Sequence, residues 1–391
     1  MASTDLPRFS VRSGADLIAA VPYLLGFHPA DSMVVVAMRG LRVTFAARAD
    51  LADLACSAAA AGSTGTAGGA ASPGGAVTPG GAVTPGGAVT PGGAATAGGA
   101  AEAARYLAAV VAQQSTDCVT VLGYGPASRV TPAVDAVRQA LAEAGIKVLD
   151  ALRVTDGRYW SYLCPEPKCC PPDGTAYDSG TSQVAAAAVF AGQVALPDRA
   201  ALVAQVASVE GAERTRLRRA AQRAGRRFAD LVTRASGGDR PGGRPVRAAG
   251  STAIRAAQRR HRRGERLDDD EVAWLSWLLT DRAVRDLAWE RTDGREADIA
   301  LWTDLLRRAE PKLIAAPGSL LAFAAWRAGE GALAAVALKR VLALHPDYSL
   351  ALLVADLLRS GVPPTRLAGW PAITLTGVAR PRPRRGGRGA R

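Results

Sequence analysis

Residues 118–154 read CVTVLGYGPASRVTPAVDAVRQALAEAGIKVLDALRV, and the order of residue types is that of a β-α-β unit. The β-branched run from Cys118 to Leu122 suits a buried strand. Thr131 followed by Pro132 offers an N-cap and first-turn pair, and apolar residues then recur at helical spacing as far as Ala144. Gly145 stops the helix, and residues 146–154 form a second strand that must run parallel to the first. Asp156-Gly157 is a tight-turn pair that sends the chain back along residues 158–163 as a hairpin.

Working toward the N-terminus, residues 101–113 read as a helix. Residues 33–38 are a β-branched strand, Arg39-Gly40 a turn, and residues 41–49 the alternating partner strand. Ser13 and Asp16 fit a capping box, and the helix they open is expected to end or restart at Pro22. Together these elements predict an α/β N-terminal domain, a mixed sheet with flanking helices, over residues 10–165 after a short tail, 1–9. Residues 55–100 interrupt it with Ala, Gly, Pro, Ser and Thr. PGGAVT starts at Pro73, Pro79 and Pro85, with PGGAAT at Pro91. Such composition cannot bury enough apolar surface to offset ordering entropy, so a disordered, dispensable insert is expected.

Beyond residue 183 the pattern is helical: 184–193, 199–206 and 212–235, then Gly and Pro around 237–245, with helices resuming by Asp268. Trp274, Trp277, Trp289 and Trp302 recur with Leu at helical spacing, which suits core filling better than a stacking platform. Residues 319–360 read helix, turn, helix, turn, helix. With Pro346 as the closing proline, Leu321, Ala322, Ala334 and Leu338 fall at the packing positions of a tetratricopeptide-like hairpin. The expected C-terminal domain is therefore all-helical, residues 184–364, with one such hairpin. A knuckle and linker, 166–183, precede it, and a basic, disordered tail, 365–391, follows.

The 391 residues are 48% apolar and carry a net charge of +13. Residues 213–266 contain 17 arginines and 4 acids, an excess equal to the whole-chain value. This segment, expected to be partly disordered, can contact polyanions without sequence preference. Base readout is not expected, because Phe228 is its one aromatic residue and no recognition motif is present. Only Lys147, Lys168, Lys312 and Lys339 are lysines among 48 basic residues, a bias that GC-rich coding produces. No apolar run reaches the roughly 20 residues of a membrane-spanning helix, and the N-terminus lacks a signal-peptide core. A cytoplasmic protein with reduced thiols and no membrane partner is expected.

Two constellations carry chemistry. The first is the loop GFHPADS before the strand at residue 33, with His28, Asp31 and Ser32, together with Gly123, Tyr124 and Gly125 after the strand at 118. The glycines make a partial G-x-G-x-x-G with Ser128 in the third place, and a helix start after Thr131 argues against a dinucleotide fingerprint. The second is CPEPKCC. Cys164, Cys169 and Cys170 suit zinc with His28 or Cys118 as a fourth ligand, or a disulfide from Cys164 to Cys169 or Cys170, or free thiols. Common NTPase, hydrolase and zinc-protease motifs are absent.

The blocks SGADLIAAVPYLLGFHPADSMVVVAMRG, VTVLGYG, IKVLDALRVTDGRYWSYLC with CCPPDGTAYD, and AAWRAGEGALAAVALKRVLALHPDYSLAL resemble an actinobacterial family, domain of unknown function 4192. The resemblance implies an actinobacterial, cytoplasmic protein and brings no activity, ligand or catalytic residue with it. Three functions follow from the residues alone. The foremost is a module binding a small molecule or a protein. The second is a metal- or thiol-dependent enzyme using His28, Asp31 and the cysteines, and the third a non-specific nucleic-acid binder through residues 213–266. The first two are expected to share a cleft where strand ends meet the knuckle.

Overall fold

The computed structural model describes residues 13–40, 42–54, 99–114, 116–235 and 243–367. The Pro-Gly insert and the basic tail, apart from their first or last few residues, lie outside the described residues. Helix α1 (Gly14–Leu25) precedes the hairpin β1 (Ser32–Arg39) and β2 (Arg42–Asp50); the short α2 (Leu51–Leu54) and then α3 (Gly99–Ala112) follow. The β-α-β unit is β3 (Cys118–Tyr124), α4 (Ala127–Glu143) and β4 (Val148–Thr155), and β5 (Arg158–Ser161) and β6 (Thr175–Ala176) complete one six-stranded sheet. Its order is β2-β1-β3-β4-β5-β6. Only β3 and β4 run parallel; the other neighbours are antiparallel. The fold class read from the sequence, a mixed sheet with helices followed by a mostly helical part, is the fold observed.

Strand β1 is buried from Ser32 to Met38, so both faces of the sheet are covered. Met33, Val35 and Ala37 point toward α2, α3 and α4, where Leu107, Val111, Val130, Val134 and Leu141 complete a core. Val34, Val36 and Met38 alternate to the other face, toward Leu17, Ile18, Val21 and Leu25 of α1.

Three local readings differ from the sequence-based expectation. Helix α1 neither ends nor restarts at Pro22 but runs through it, stopping at Gly26 with φ 79°. Proline removes only the hydrogen bond that would reach the Ile18 carbonyl, and burial of Leu25 at 3% exposure carries the helix on. Helix α4 begins at Ala127, not after Thr131: the Pro126 carbonyl accepts the N–H groups of Arg129 and Val130 at 3.1 and 3.0 Å. Val130, fully buried against β3, draws the first turn forward.

The third difference lies in the helical part, which contains α5 (Gln183–Phe190), α6 (Arg199–Gln205), α7 (Gly211–Ala235), α8 (Arg244–Arg262), α9 (Asp269–Leu278), α10 (Arg282–Glu290), α11 (Glu296–Arg308), α12 (Ala315–Ala328), α13 (Gly331–Leu344) and α14 (Ser349–Arg359). The sequence reading has helices resuming by Asp268 without naming one between the Gly and Pro interruption and that point, and α8 already starts at Arg244 with Pro245 in its first turn, where proline is tolerated. The arginine-rich segment is thus two helices across its described residues. Their charge meets acids of neighbouring helices: Arg216 pairs with Asp269, Arg223 with Asp270 and Arg260 with Glu271, and Arg266, in the turn after α8, pairs with Asp304. Leu321, Ala322, Ala334 and Leu338 are buried between α12, α13 and α14, and Trp302 and Trp326 fill the core.

Candidate functional site

At the carboxyl end of β3, the register lines up one row of side chains across the sheet. Ser32 of β1 stands opposite Asp50 of β2 on one side and Tyr124 of β3 on the other. Tyr124 is next to Val154 of β4, which faces Tyr159 of β5. Directly opposed residues share a face, with Cβ atoms about 4.5–5.5 Å apart. Arg48 stands opposite Val34, diagonal to Ser32 on the same face.

Four polar atoms of this cluster are buried without a hydrogen-bond partner: Ser32 Oγ, Tyr124 OH, and Nε and Nη1 of Arg48. The third guanidinium nitrogen, Nη2, donates to Asp50 Oδ1 at 2.5 Å, and Cζ lies 5.7 Å from the Phe27 ring centre. Only 4% of the Arg48 side chain is exposed. Burial lowers the proton affinity of the guanidinium, and Asp50 opposes that effect. Burial also lifts the Tyr124 phenol well above its ordinary range, with the Tyr177 phenol adding to it. At the rim, burial and the Asp50 charge push Asp53 up to about 6. The segment that leads into α6 borders this cluster: Phe27 bridges to Leu196, the His28 N–H donates to the Leu196 carbonyl at 2.9 Å, and Arg199, the first residue of α6, is close enough to act on the Arg48 charge.

The sequence-predicted loop residues divide. Asp31, at φ 44°, sends its carboxylate to Arg129 at 2.6 Å while its carbonyl accepts the Leu51 N–H at 2.9 Å. Gly125, at φ 142°, lies alongside: a Cβ there would fall 3.6 Å from Asp31 Oδ1. Asp31, Ser32, Tyr124 and Gly125 are therefore neighbours at the strand ends. Gly123 points to the opposite face, where a Cβ would sit 2.2 Å from Val130 Cγ1, so its role is to let α4 approach β3. His28 is exposed on the loop.

In the knuckle, the Sγ atoms of Cys164, Cys169 and Cys170 lie within 4.8 Å of one another. The Glu166 carbonyl accepts both the Cys169 and Cys170 N–H groups, at 3.0 and 2.8 Å, and Ser161 Oγ accepts the Cys164 N–H at 3.1 Å. A backbone hydrogen bond from Glu166, then one from Cys170, lowers the Cys164 thiol; burial, then its neighbour thiols, push Cys170 up to about 12. Among the described residues neither His28 nor Cys118 joins this group. Cys118, at the opposite end of β3 from Tyr124, stands opposite Met38. What links knuckle and row is tyrosine: burial raises the Tyr159 phenol, with the Cys170 and Cys169 thiols adding to it, and its ring packs edge-on against Tyr177, ring centres 6.3 Å apart.

Sequence reading passed over Arg48, Asp50, Tyr159 and Tyr177. A signal for Arg48 exists. It occupies an alternating position of β2 beside a strand apolar from Met33 to Met38, and a strand buried on both faces leaves its neighbour's inward arginine no solvent.

A family model described as a domain of unknown function (DUF4192) matches residues 15–83 and 91–365. Neither the curated proteins nor the solved structures contain a match to the chain.

Proposed function

The chain belongs to the DUF4192 family, and on that premise we propose that it is a ligand-binding protein whose guest is a small anion, carboxylate- or phosphate-bearing, held between Ser32, Arg48 and Tyr124. The observation that carries this reading is the set of four buried, unpartnered atoms, each able to donate a hydrogen bond. Buried polar groups in folded proteins are partnered in roughly nine cases of ten, and each one left bare costs about 1–3 kcal/mol. An acceptor-rich guest satisfies all of them, and a guanidinium prefers oxyanions. The site also adjoins the carboxyl ends of the two parallel strands, where α/β sheets gather ligands.

The test is thermal denaturation of the full chain against a panel of small carboxylates and phosphates. A binding member raises the melting temperature of the wild type and not of Arg48→Met, whose similar volume keeps the core filled. Ser32→Ala and Tyr124→Phe weaken binding by roughly 1–3 kcal/mol each. A panel without effect, or one that stabilises Arg48→Met equally, would sink the reading.

The proposal extends to an actinobacterial, cytoplasmic setting. Support comes from the arginine-over-lysine bias of a GC-rich coding sequence and from the four described cysteines, all free thiols.

A further inference from the structure

Between Leu163 and Ser182 only Gly174 is buried. The segment has no apolar core of its own, yet it is pinned at several points. Trp160 Nε1 donates to the Pro172 carbonyl at 2.9 Å, and Arg158 Nη1 donates to the Asp173 and Gly174 carbonyls at 3.1 and 2.8 Å. Segments too small to bury apolar surface are commonly held by a disulfide or a metal.

We infer that Cys164, Cys169 and Cys170 form a three-thiolate zinc site that staples the β5–β6 connection, its fourth position open to an exogenous ligand. Tetrahedral zinc with Zn–S near 2.3 Å sets its sulfurs about 3.8 Å apart, a spacing inside the 4.8 Å within which these three Sγ atoms already lie. A disulfide would use two of them and strand the third, whereas one ion uses all three. Neighbouring cysteines in an extended strand point to opposite faces. Here the shared acceptor at Glu166 folds residues 166–170 into a turn, and Cys169 and Cys170 face one centre. Thiolates select zinc over magnesium or calcium. Binding releases one proton from each of three thiols and leaves a site of charge −1. Nearby, Arg153 is stacked 3.7 Å over the Trp160 ring, and Arg158 grips the Asp173 and Gly174 carbonyls.

The zinc site uses none of the anion site's residues and does not rest on that reading, so either can fail alone. The experiment is elemental analysis of the full chain, expressed with added zinc and purified under reducing conditions without chelator. It is paired with alkylation of the cysteines mapped by peptide mass. About one zinc per chain is expected, with Cys164, Cys169 and Cys170 slow to alkylate until a chelator is added. Cys169→Ser, at an exposed position, should keep the circular dichroism spectrum and lose zinc affinity on the order of 100-fold or more, read by competition with a chromophoric chelator. The inference is overturned by a protein without zinc, by copper or iron in its place, by a Cys164 disulfide in the peptide map, or by zinc that survives both Cys169→Ser and Cys164→Ser. Should the variants fail to fold, chelator-dependent alkylation of the wild type decides alone.

Discussion

Asp53 lies in the short helix after β2, beside Asp50 and within reach of Arg48. Its carboxyl group is raised by burial and by the Asp50 charge from 3.8 to about 6. A raised acid binds its proton more tightly in the folded chain than in the unfolded one. Its contribution to stability is therefore complete below about pH 4 and is lost as the pH rises through about 6. Asp53→Asn removes that loss. In paired denaturant titrations the variant should gain on the wild type between pH 4 and pH 7, with no further gain above; a constant difference across that range would show that Asp53 does not titrate there. Nothing in the sequence marks Asp53, because its shift arises from burial in the folded chain and from where the Asp50 charge ends up beside it, against the opposing pull of Arg48. Ser32 and Tyr124 were legible as loop-adjacent residues. That they oppose each other in register, with Arg48 diagonal to them, required the pairing of three strands.

Among the elements, the strand-to-helix step from β3 to α4 is a tight joint. A methyl group on Gly123 would lie 2.2 Å from Val130 Cγ1, and Val130 is fully buried. Gly123→Ala must push α4 off the sheet and should cost about 1–3 kcal/mol, measured by urea denaturation. In Gly123→Ala/Val130→Ala the clash is gone, so the double variant should lose less than the two single variants combined; additive losses would refute the contact. The β-α-β order, the hairpins and most helices were readable from periodicity and turn residues, since those signals are local. The early start of α4 was not, because Val130's burial against β3 outweighed the Thr131-Pro132 signal. Helix α8 escaped for a related reason. Its alanine- and arginine-rich sequence declares no apolar stripe until α7, α9 and α10 supply the surfaces it packs on.

Across the whole molecule, one core continues from the sheet into the helices: Val34, Leu122 and Leu152 belong to the same buried cluster as Leu275, Trp302 and Trp326. The far end of the chain also closes on the near one. The Tyr106 hydroxyl of α3 donates to the Arg359 carbonyl at 2.8 Å, and Gln114 donates to the Gly361 carbonyl at 2.7 Å. Burial pushes the Tyr106 phenol up to about 12. Tyr106→Phe should lower stability by about 0.5–1.5 kcal/mol while unfolding, followed by tryptophan fluorescence and by circular dichroism, remains one coincident transition. Two separated transitions would mean that sheet and helices unfold as independent bodies.

The clasp between α3 and the end of α14 joins residues 253 positions apart. A ribosome adding roughly 5–20 residues per second needs on the order of 10–50 s to cover that distance. Throughout that interval the nascent sheet domain carries an α3 flank whose partner does not yet exist, so synthesis exposes a surface that the finished protein conceals.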